Sequence, residues 1–154
     1  GEENVAAVIE TSAPNGYSGE IKMVVAVSLD GTSLGVRVVD HKETPGLGDK
    51  VDLRVSDWIL SFENVPSSGK SDNRWQVKKD GGQFDQFTGA TITPRAVVQA
   101  VKSTLIYFNE NRDMIFNAAS NCLSSIASDY PDNALLDNAA IDNAALDNKA
   151  LVNE

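Results

Sequence analysis

Hydrophobic and polar residues alternate along the first forty positions of the chain, and this alternation predicts a β-sheet. An apolar run at residues 5–9 stops at residues 12–16, where Pro, Asn and Gly favour a turn. Apolar residues then occupy every second position in residues 21–27, and the alternation resumes at residues 34–38 after a turn at residues 30–32. The pattern predicts one strand followed by a β-hairpin.

The middle of the chain breaks into shorter elements. Residues 41–48 form a loop rich in Pro and Gly, and Ser56 is placed to cap a short helix over residues 57–62. Residues 75–78 predict a further strand, which the Asp-Gly-Gly turn at residues 80–82 would end.

The clearest helical pattern follows this region. Thr93 is a favoured N-cap, and Pro94 suits the first helical position because the missing N–H would have no partner there. We expect this helix to end at residues 109–111 and a weaker helix to follow over residues 114–126. Apolar residues recur at helical spacing and give the first helix one apolar face: Val97, Val98, Val101, Leu105 and Phe108.

The C-terminal residues form a repeat in which Asp-Asn pairs recur every five positions from Asp132 to Asn148. A period of five differs from the helical period of about 3.6, so the apolar residues between the pairs do not share one helix face. Residues 128–154 hold six acids and one base. We interpret them as a mobile acidic tail, with a docking segment as the alternative, and residues 4–127 as the folded domain.

Composition and charge exclude several classes of protein. The 154 residues carry a formal net charge of −9, which disfavours general nucleic-acid binding. One cysteine, Cys122, and one histidine, His41, exclude an intrachain disulfide framework and metal sites rich in Cys or His. No apolar run approaches the roughly 18–20 residues of a membrane span, and the acidic start does not resemble a signal peptide. Because the first residue is Gly instead of Met, we expect a processed or trimmed product.

The segment at residues 85–94 joins a loop of small and hydroxyl side chains to the predicted helix start. A helix N-terminus carries free N–H groups and a partial positive charge, and both favour an anion. Gly89 and Ala90 would let a phosphate approach the backbone, and Thr91 would lie beside it. Capping and turn formation by the threonines of this segment is the alternative interpretation.

The loop at residues 41–48 is the second candidate for ligand binding. Pro45 fixes one backbone angle while Gly46 and Gly48 free their neighbours, so the loop can present backbone amides to a flat ligand. An ordinary connection between elements is the alternative, in which His41 and the nearby acid form a surface pair.

Four segments together resemble a known family, and they occur in the family's order. The resemblance is to the G subunit of the bacterial Rnf electron-transport complex over residues 5–110. It is more distant to the C subunit of the sodium-translocating NADH:quinone oxidoreductase, which shares the FMN-binding domain. The segments are Gly16-Tyr17-Ser18-Gly19, residues 43–48, residues 75–82 and residues 85–94. The family signature is Asp, two loosely specified residues, Ser or Thr, Gly, Ala and Thr, which here is Asp85-Gln86-Phe87-Thr88-Gly89-Ala90-Thr91.

The resemblance implies a covalently bound flavin. The final threonine of the signature carries FMN through a phosphoester in this family, and a flavin transferase that uses FAD and magnesium forms the bond. The implied attachment residue is therefore Thr91. The resemblance also places the isoalloxazine ring near the second loop. Further residues implied at the cofactor come from the signature, the helix start and that loop: Asp85, Thr88, Gly89, Ala90, Thr93, Glu43, Thr44, Gly46, Leu47 and Gly48.

The resemblance further implies a location and partners. Members of this family have an N-terminal membrane helix and face the periplasm, so we expect an inner-membrane protein on the periplasmic side whose membrane helix is absent from this chain. The implied partners are the other subunits of the membrane complex and, during maturation, the flavin transferase.

Several residues near the motif have two interpretations each. Arg95, in the first helical turn, either bonds to the flavin phosphate or is an exposed helix arginine. Lys78 and Lys79 would point to opposite faces of the predicted strand, so at most one of them would attract the flavin or a redox partner. Four aromatic residues are candidate neighbours of the flavin ring, with core packing as the alternative: Tyr17, Trp75, Phe84 and Phe87.

The sequence thus predicts an α+β fold with a largely antiparallel sheet and helices packed against it. With the resemblance, it predicts an electron-carrier subunit of a redox-driven ion translocase, in which the flavin performs the redox chemistry and the protein is not a stand-alone catalyst. Two other classes stay open. One is a module or sensor that binds a flavin noncovalently, and the other is a cofactor-free interaction domain whose acidic tail recruits basic partners.

Overall fold

The computed structural model describes the backbone of residues 5–129 and the side chains of residues 5–117. Strands β1 (Ala6–Ala13), β2 (Ile21–Ser28) and β3 (Ser33–Asp40) form an antiparallel sheet with β2 in the centre, and helix α1 spans Ile92–Asp129. Three short 3₁₀ helices lie between the sheet and α1: Gly48–Val51, Asp57–Phe62 and Lys78–Asp80. The predicted α+β class with an antiparallel sheet is confirmed.

The central strand shows why the alternating pattern predicts the sheet correctly. Every second residue of β2, from Ile21 to Val27, is fully or almost fully buried, while the residues between them are half-buried or exposed. The turn of the β2–β3 hairpin contains Gly31 with a φ of +85°, a conformation that favours glycine. A Cβ at this position would lie 2.2 Å from Oδ1 of Asn109, so the hairpin turn packs closely against α1.

Helix α1 packs its apolar face into the core, as its spacing predicts. Val97, Val101, Leu105 and Phe108 are fully buried. The hydroxyl of Thr104 also donates a hydrogen bond of 3.0 Å to the hydroxyl of Thr11 in β1, which joins the helix to the sheet directly.

The helix has a break at the position where the sequence predicts its end. Asn111 has non-helical backbone angles, φ −123° and ψ 16°, and helical residues continue beyond it to Asp129. The compact unit that contains the sheet extends to Arg112. The Asp-Asn repeats lie outside the described residues, so the boundary at residue 127 and the mobile tail stay predictions.

An aromatic cluster from the middle segment forms part of the core. Phe62 and Phe84 are stacked with ring centroids 4.4 Å apart, and Trp75 lies 5.3 Å from Phe84. Trp58 connects this cluster to Phe87, whose ring centroid is 5.0 Å away. Trp75, Phe84 and Phe87 are all buried, which confirms core packing for these three.

The strand predicted over residues 75–78 is wrong. Val77 forms an isolated bridge to Phe84, and a 3₁₀ helix begins at Lys78. The chain folds back so tightly that a Cβ on Gly82 would lie 1.9 Å from the carbonyl oxygen of Gln76. This reversal leaves no room for a ladder of β-bridges at residues 75–78. The argument that Lys78 and Lys79 point to opposite faces of a strand therefore does not apply.

The described helices also bear on membrane insertion. Within residues 5–129, no helix is both long enough and apolar enough to cross a bilayer.

We predict that replacing Phe84 by Ala lowers the free energy of unfolding by about 3–5 kcal/mol, because it leaves a cavity inside the aromatic cluster. Urea denaturation measures the change. Tyr107→Ala is the matched control, since this aromatic side chain is half exposed on α1 and its loss is expected to cost about 0.5 kcal/mol or less. A cost for Phe84→Ala no greater than that of the control would contradict the cluster's role.

Candidate functional site

The start of α1 differs from the predicted capping arrangement. The helix begins at Ile92, and the backbone N–H of Arg95 bonds to the carbonyl oxygen of Thr91 at 3.4 Å. Thr91 is therefore the residue that flanks the helix, and the prediction of Thr93 as N-cap is wrong. The reason is a distant partner: the buried hydroxyl of Thr93 donates a hydrogen bond to Oε2 of Glu43. Pro94 lies within the first turn, where its missing N–H leaves no bond unmade.

Glu43 joins three separate segments of the chain. Besides the bond from Thr93, its Oε2 accepts a hydrogen bond from the backbone N–H of Tyr17 at 3.2 Å, and its Oε1 accepts one from the N–H of Ser18 at 2.9 Å. The side chain is 4% exposed, so all three donors satisfy a buried carboxylate. The loop before β2, the loop after β3 and the start of α1 are thereby held together.

The loop that follows Glu43 is a tight turn. The N–H of Leu47 bonds to the carbonyl oxygen of Thr44 at 3.1 Å, with Pro45 at the second position and Gly46 at the third with a φ of +76°. These are the features of a type II β-turn, in which the third position favours glycine.

Gly48, the residue after this turn, packs very closely against the side chains of Glu43 and Thr93. A Cβ on Gly48 would lie 2.7 Å from Oγ1 of Thr93 and 2.9 Å from Oε2 of Glu43. The backbone therefore packs directly against the Glu43–Thr93 bond, and a side chain there would displace it.

A cavity of about 250 Å³ opens between these segments. Thr91, half-buried, lies on its wall beside the helix start. Gly89 has a φ of +76°, and a Cβ at this position would lie 3.5 Å from Cδ2 of Leu47 across the cavity. The cavity is lined by residues from the two loops and the helix start: Tyr17, Glu43, Thr44, Leu47, Gly48, Gly89, Ala90, Thr91, Ile92 and Thr93.

Most of the predicted site residues meet at this cavity, and some do not. Eight of those lining residues are among the predicted ones, while Gly46 shapes the turn beside it. Asp85 instead pairs with Lys78, with 2.6 Å between Oδ1 and Nζ. Thr88 is exposed and does not line the cavity.

Arg95 is also engaged away from the cavity. Its Nε and Nη2 each donate a hydrogen bond of 2.6 Å to the carboxylate of Asp80. This bidentate pair fixes the guanidinium on the 3₁₀ segment, and it also lowers the pKa of Asp80 below its ordinary value.

Ile92 lines the cavity without any signal in the sequence, since an apolar residue between two threonines is unremarkable. In the sequence, nothing distinguishes Tyr17 from the other three aromatic candidates for contact with the flavin ring. The structure separates it from the others: it lines the cavity and is 68% exposed, whereas Trp75, Phe84 and Phe87 are buried.

A second set of polar contacts, centred on His41, joins the loop at residues 41–48 to Asp52. Nδ1 of His41 accepts a hydrogen bond from the N–H of Glu43 at 3.1 Å, and Nε2 of His41 lies 3.5 Å from Oδ2 of Asp52. Hydrogen bonds from the Arg54 side chain and backbone lower the pKa of the buried Asp52 carboxyl to about 2. His41 is thus part of a connected network and not an isolated surface pair.

Taken together, the fold and the site define a class: an α+β ligand-binding domain whose cavity lies at the N-terminus of its long helix. The sequence pattern of one family, described as FMN-binding domain, matches residues 16–106. The chain belongs to this FMN-binding domain family, which confirms the resemblance seen in the sequence.

Similar proteins in several bacteria carry a common name. The chain is 64% identical over 126 residues to the G subunit of the ion-translocating oxidoreductase complex of Pseudoalteromonas atlantica, covering 82% of this chain and 59% of that protein. It is 60% identical to the protein of the same name in Shewanella loihica, covering 79% of this chain and 58% of that protein. The chain therefore spans somewhat more than half the length of these relatives.

A solved structure shares the fold. The crystal structure of NqrC from Shewanella oneidensis superposes with a TM-score of 0.52 at 26% sequence identity, covering 70% of this chain and 55% of that one.

We predict that Gly48→Ala lowers the free energy of unfolding by about 1–3 kcal/mol, because the added Cβ forces apart the Glu43–Thr93 bond. Gly35→Ala is the control, since a Cβ there meets its nearest neighbour at an ordinary 3.7 Å. Urea denaturation of both variants makes the comparison, and equal stabilities would show that the site tolerates a side chain at position 48.

We also predict that Asp52 stabilises the domain above about pH 4 and loses this effect as the pH falls towards 2. The pKa of Asp52 is about 2 in the folded protein and near 3.8 in the unfolded chain, so the unfolded state takes up the proton first. The contribution is at most about 2 kcal/mol, because Arg54 is largely exposed and solvent screens the pair.

Denaturation midpoints of the wild type and Asp52→Asn between pH 6 and about pH 2 measure this effect. The stability difference between the two proteins should shrink on acidification. Glu20→Gln, which changes an exposed acid before β2, should follow the wild type throughout. A difference between wild type and Asp52→Asn that does not change with pH would contradict the assignment.

Proposed function

We propose that this domain carries FMN on Thr91 through a phosphoester bond and transfers electrons as part of a membrane-bound ion-translocating oxidoreductase complex. The observation that carries the proposal is the position of Thr91: it lines the cavity and immediately precedes the first residue of α1. It is also the last residue of the signature Asp85-Gln86-Phe87-Thr88-Gly89-Ala90-Thr91, within the part of the chain that matches the FMN-binding domain family.

The chemistry of the cavity fits a phosphoester at this residue. A phosphodiester keeps one negative charge, which the partial positive charge and free N–H groups of a helix start stabilise. Glu43 is the charged side chain among the lining residues, and its oxygens are already bonded to Thr93 and two backbone amides. Gly89, which also lines the cavity, adds no side chain beside Thr91 that would compete with the attached group for space.

The remaining lining residues fit a flat ring system. FMN supplies the redox-active isoalloxazine when it is bound, and the protein contributes its position and surroundings. Thr44 and Leu47, at the two ends of the turn, line the cavity. Gly48 also lines it and adds no side chain next to the Glu43–Thr93 bond. These residues would orient the ring and limit its contact with water.

We extend the proposal from the domain to its setting. The relatives, which are G subunits of an ion-translocating oxidoreductase complex by name, support a role beside other membrane subunits as partners. We place the domain on the periplasmic side of the inner membrane, attached through a membrane helix as the family resemblance implies. A flavin transferase that uses FAD and magnesium would attach the flavin during maturation: the Thr91 hydroxyl oxygen would bond to the FMN phosphorus, the pyrophosphate bond of FAD would break, and AMP would leave.

Intact mass measurement tests the attachment. The wild type purified after coexpression with its flavin transferase should gain the mass of FMN minus one water, and the gain should survive denaturation. Thr91→Ala should lose the adduct completely, because no hydroxyl is left to form the ester. Ser103→Ala is the matched control, because it removes an exposed hydroxyl further along α1 and should leave the adduct unchanged.

Peptide mapping then decides between the alternatives. An adduct on the peptide that contains Thr91, absent in Thr91→Ala, supports the covalent carrier. Flavin colour that is released entirely on denaturation would instead support a noncovalent binding module. An unmodified, colourless protein in the presence of an active transferase would refute the flavin proposal.

A further inference from the structure

Tyr17 combines exposure with a fixed backbone. Its side chain is 68% exposed, yet its N–H and that of Ser18 are both held by the buried Glu43 carboxylate. The loop is also tight, because a Cβ on Gly16 would lie 2.2 Å from the carbonyl oxygen of Gly19. A scattered exposed apolar residue needs no explanation, but an exposed aromatic side chain on a rigidly positioned loop beside a cavity is typical of a binding residue.

Two more exposed apolar side chains surround the same cavity. Leu47 is 41% exposed and Ile92 is 50% exposed, and both line the cavity together with Tyr17. The three side chains come from three segments: the loop before β2, the turn after β3 and the start of α1. Such an apolar rim around a cavity with a threonine on its wall suits a flat, largely apolar ring system tethered to that threonine.

We propose that Tyr17 contacts the isoalloxazine ring of the flavin attached to Thr91 and, with Leu47 and Ile92, shields that ring from water. This inference rests on the proposed function; it selects Tyr17 from the four aromatic candidates and adds Ile92, which the sequence does not indicate, to the residues at the ring. Trp75, Phe84 and Phe87 do not compete for this role, because they are buried in the aromatic cluster. Within the described residues, no ring of that cluster is in contact with Tyr17.

Flavin fluorescence gives a direct readout of this contact. An electron-rich phenol or indole in van der Waals contact with an excited flavin quenches its emission, whereas an aliphatic side chain does not. In the flavin-loaded protein, Tyr17→Leu should therefore raise the fluorescence per bound flavin several fold while keeping an apolar side chain at the rim. Tyr17→Trp should remain quenched.

Tyr107→Leu is the matched control. Tyr107 is, like Tyr17, an exposed tyrosine, but it lies on α1 and does not line this cavity. Its replacement should leave the flavin emission unchanged. All variants are compared at equal loading, which intact mass measures independently of fluorescence.

The outcomes separate this inference from the proposed function. Fully loaded Tyr17→Leu protein with wild-type fluorescence would overturn the ring contact and leave the covalent flavin intact. An equal rise in Tyr17→Leu and Tyr107→Leu would also overturn it, since the effect would then not be specific to the cavity. A wild type that acquires no flavin mass from an active transferase would overturn the proposed function, and the ring contact with it.

Discussion

The buried Glu43 carboxylate holds together the segments that surround the cavity. Taking a carboxylate out of water is costly unless hydrogen bonds replace its hydration, and here two backbone amides and the Thr93 hydroxyl provide them. These donors lie in the loop before β2 and at the start of α1, whereas Glu43 lies in the loop after β3. The close approach of Gly48 to the same bond means that the loop, the helix start and the carboxylate have to be formed together.

The division of roles around the cavity follows from this arrangement. Glu43 and Thr93 are bonded polar groups that fix the geometry of the wall on which Thr91 lies, while Tyr17, Leu47 and Ile92 form an apolar rim. Charged side chains nearby are paired with one another, as in Arg95 with Asp80 and Lys78 with Asp85. An anionic group at Thr91 would therefore depend on the helix start more than on neighbouring cations.

The sequence predicts the parts of this structure that local patterns control. The alternation through β2 and the apolar face of α1 are recovered because burial enforces a period on each element. Thr93 is mistaken for a cap because its actual partner, Glu43, lies 50 positions away and leaves no local trace. The strand predicted at residues 75–78 fails for a different, local reason: the turn at Gly81 and Gly82 folds the β-prone residues back too tightly for a ladder to form.

The long sequence separations between Glu43 and its hydrogen-bond partners also affect how the domain folds. The carboxylate bonds to residues 25 and 26 positions before it and 50 positions after it, so large loops have to close before the cavity is complete. The signature segment therefore has its full surroundings only in molecules in which these long-range contacts have formed. A maturation enzyme that recognises the finished cavity would modify only molecules that have completed this closure, which would make attachment of the cofactor a mark of a correctly folded domain.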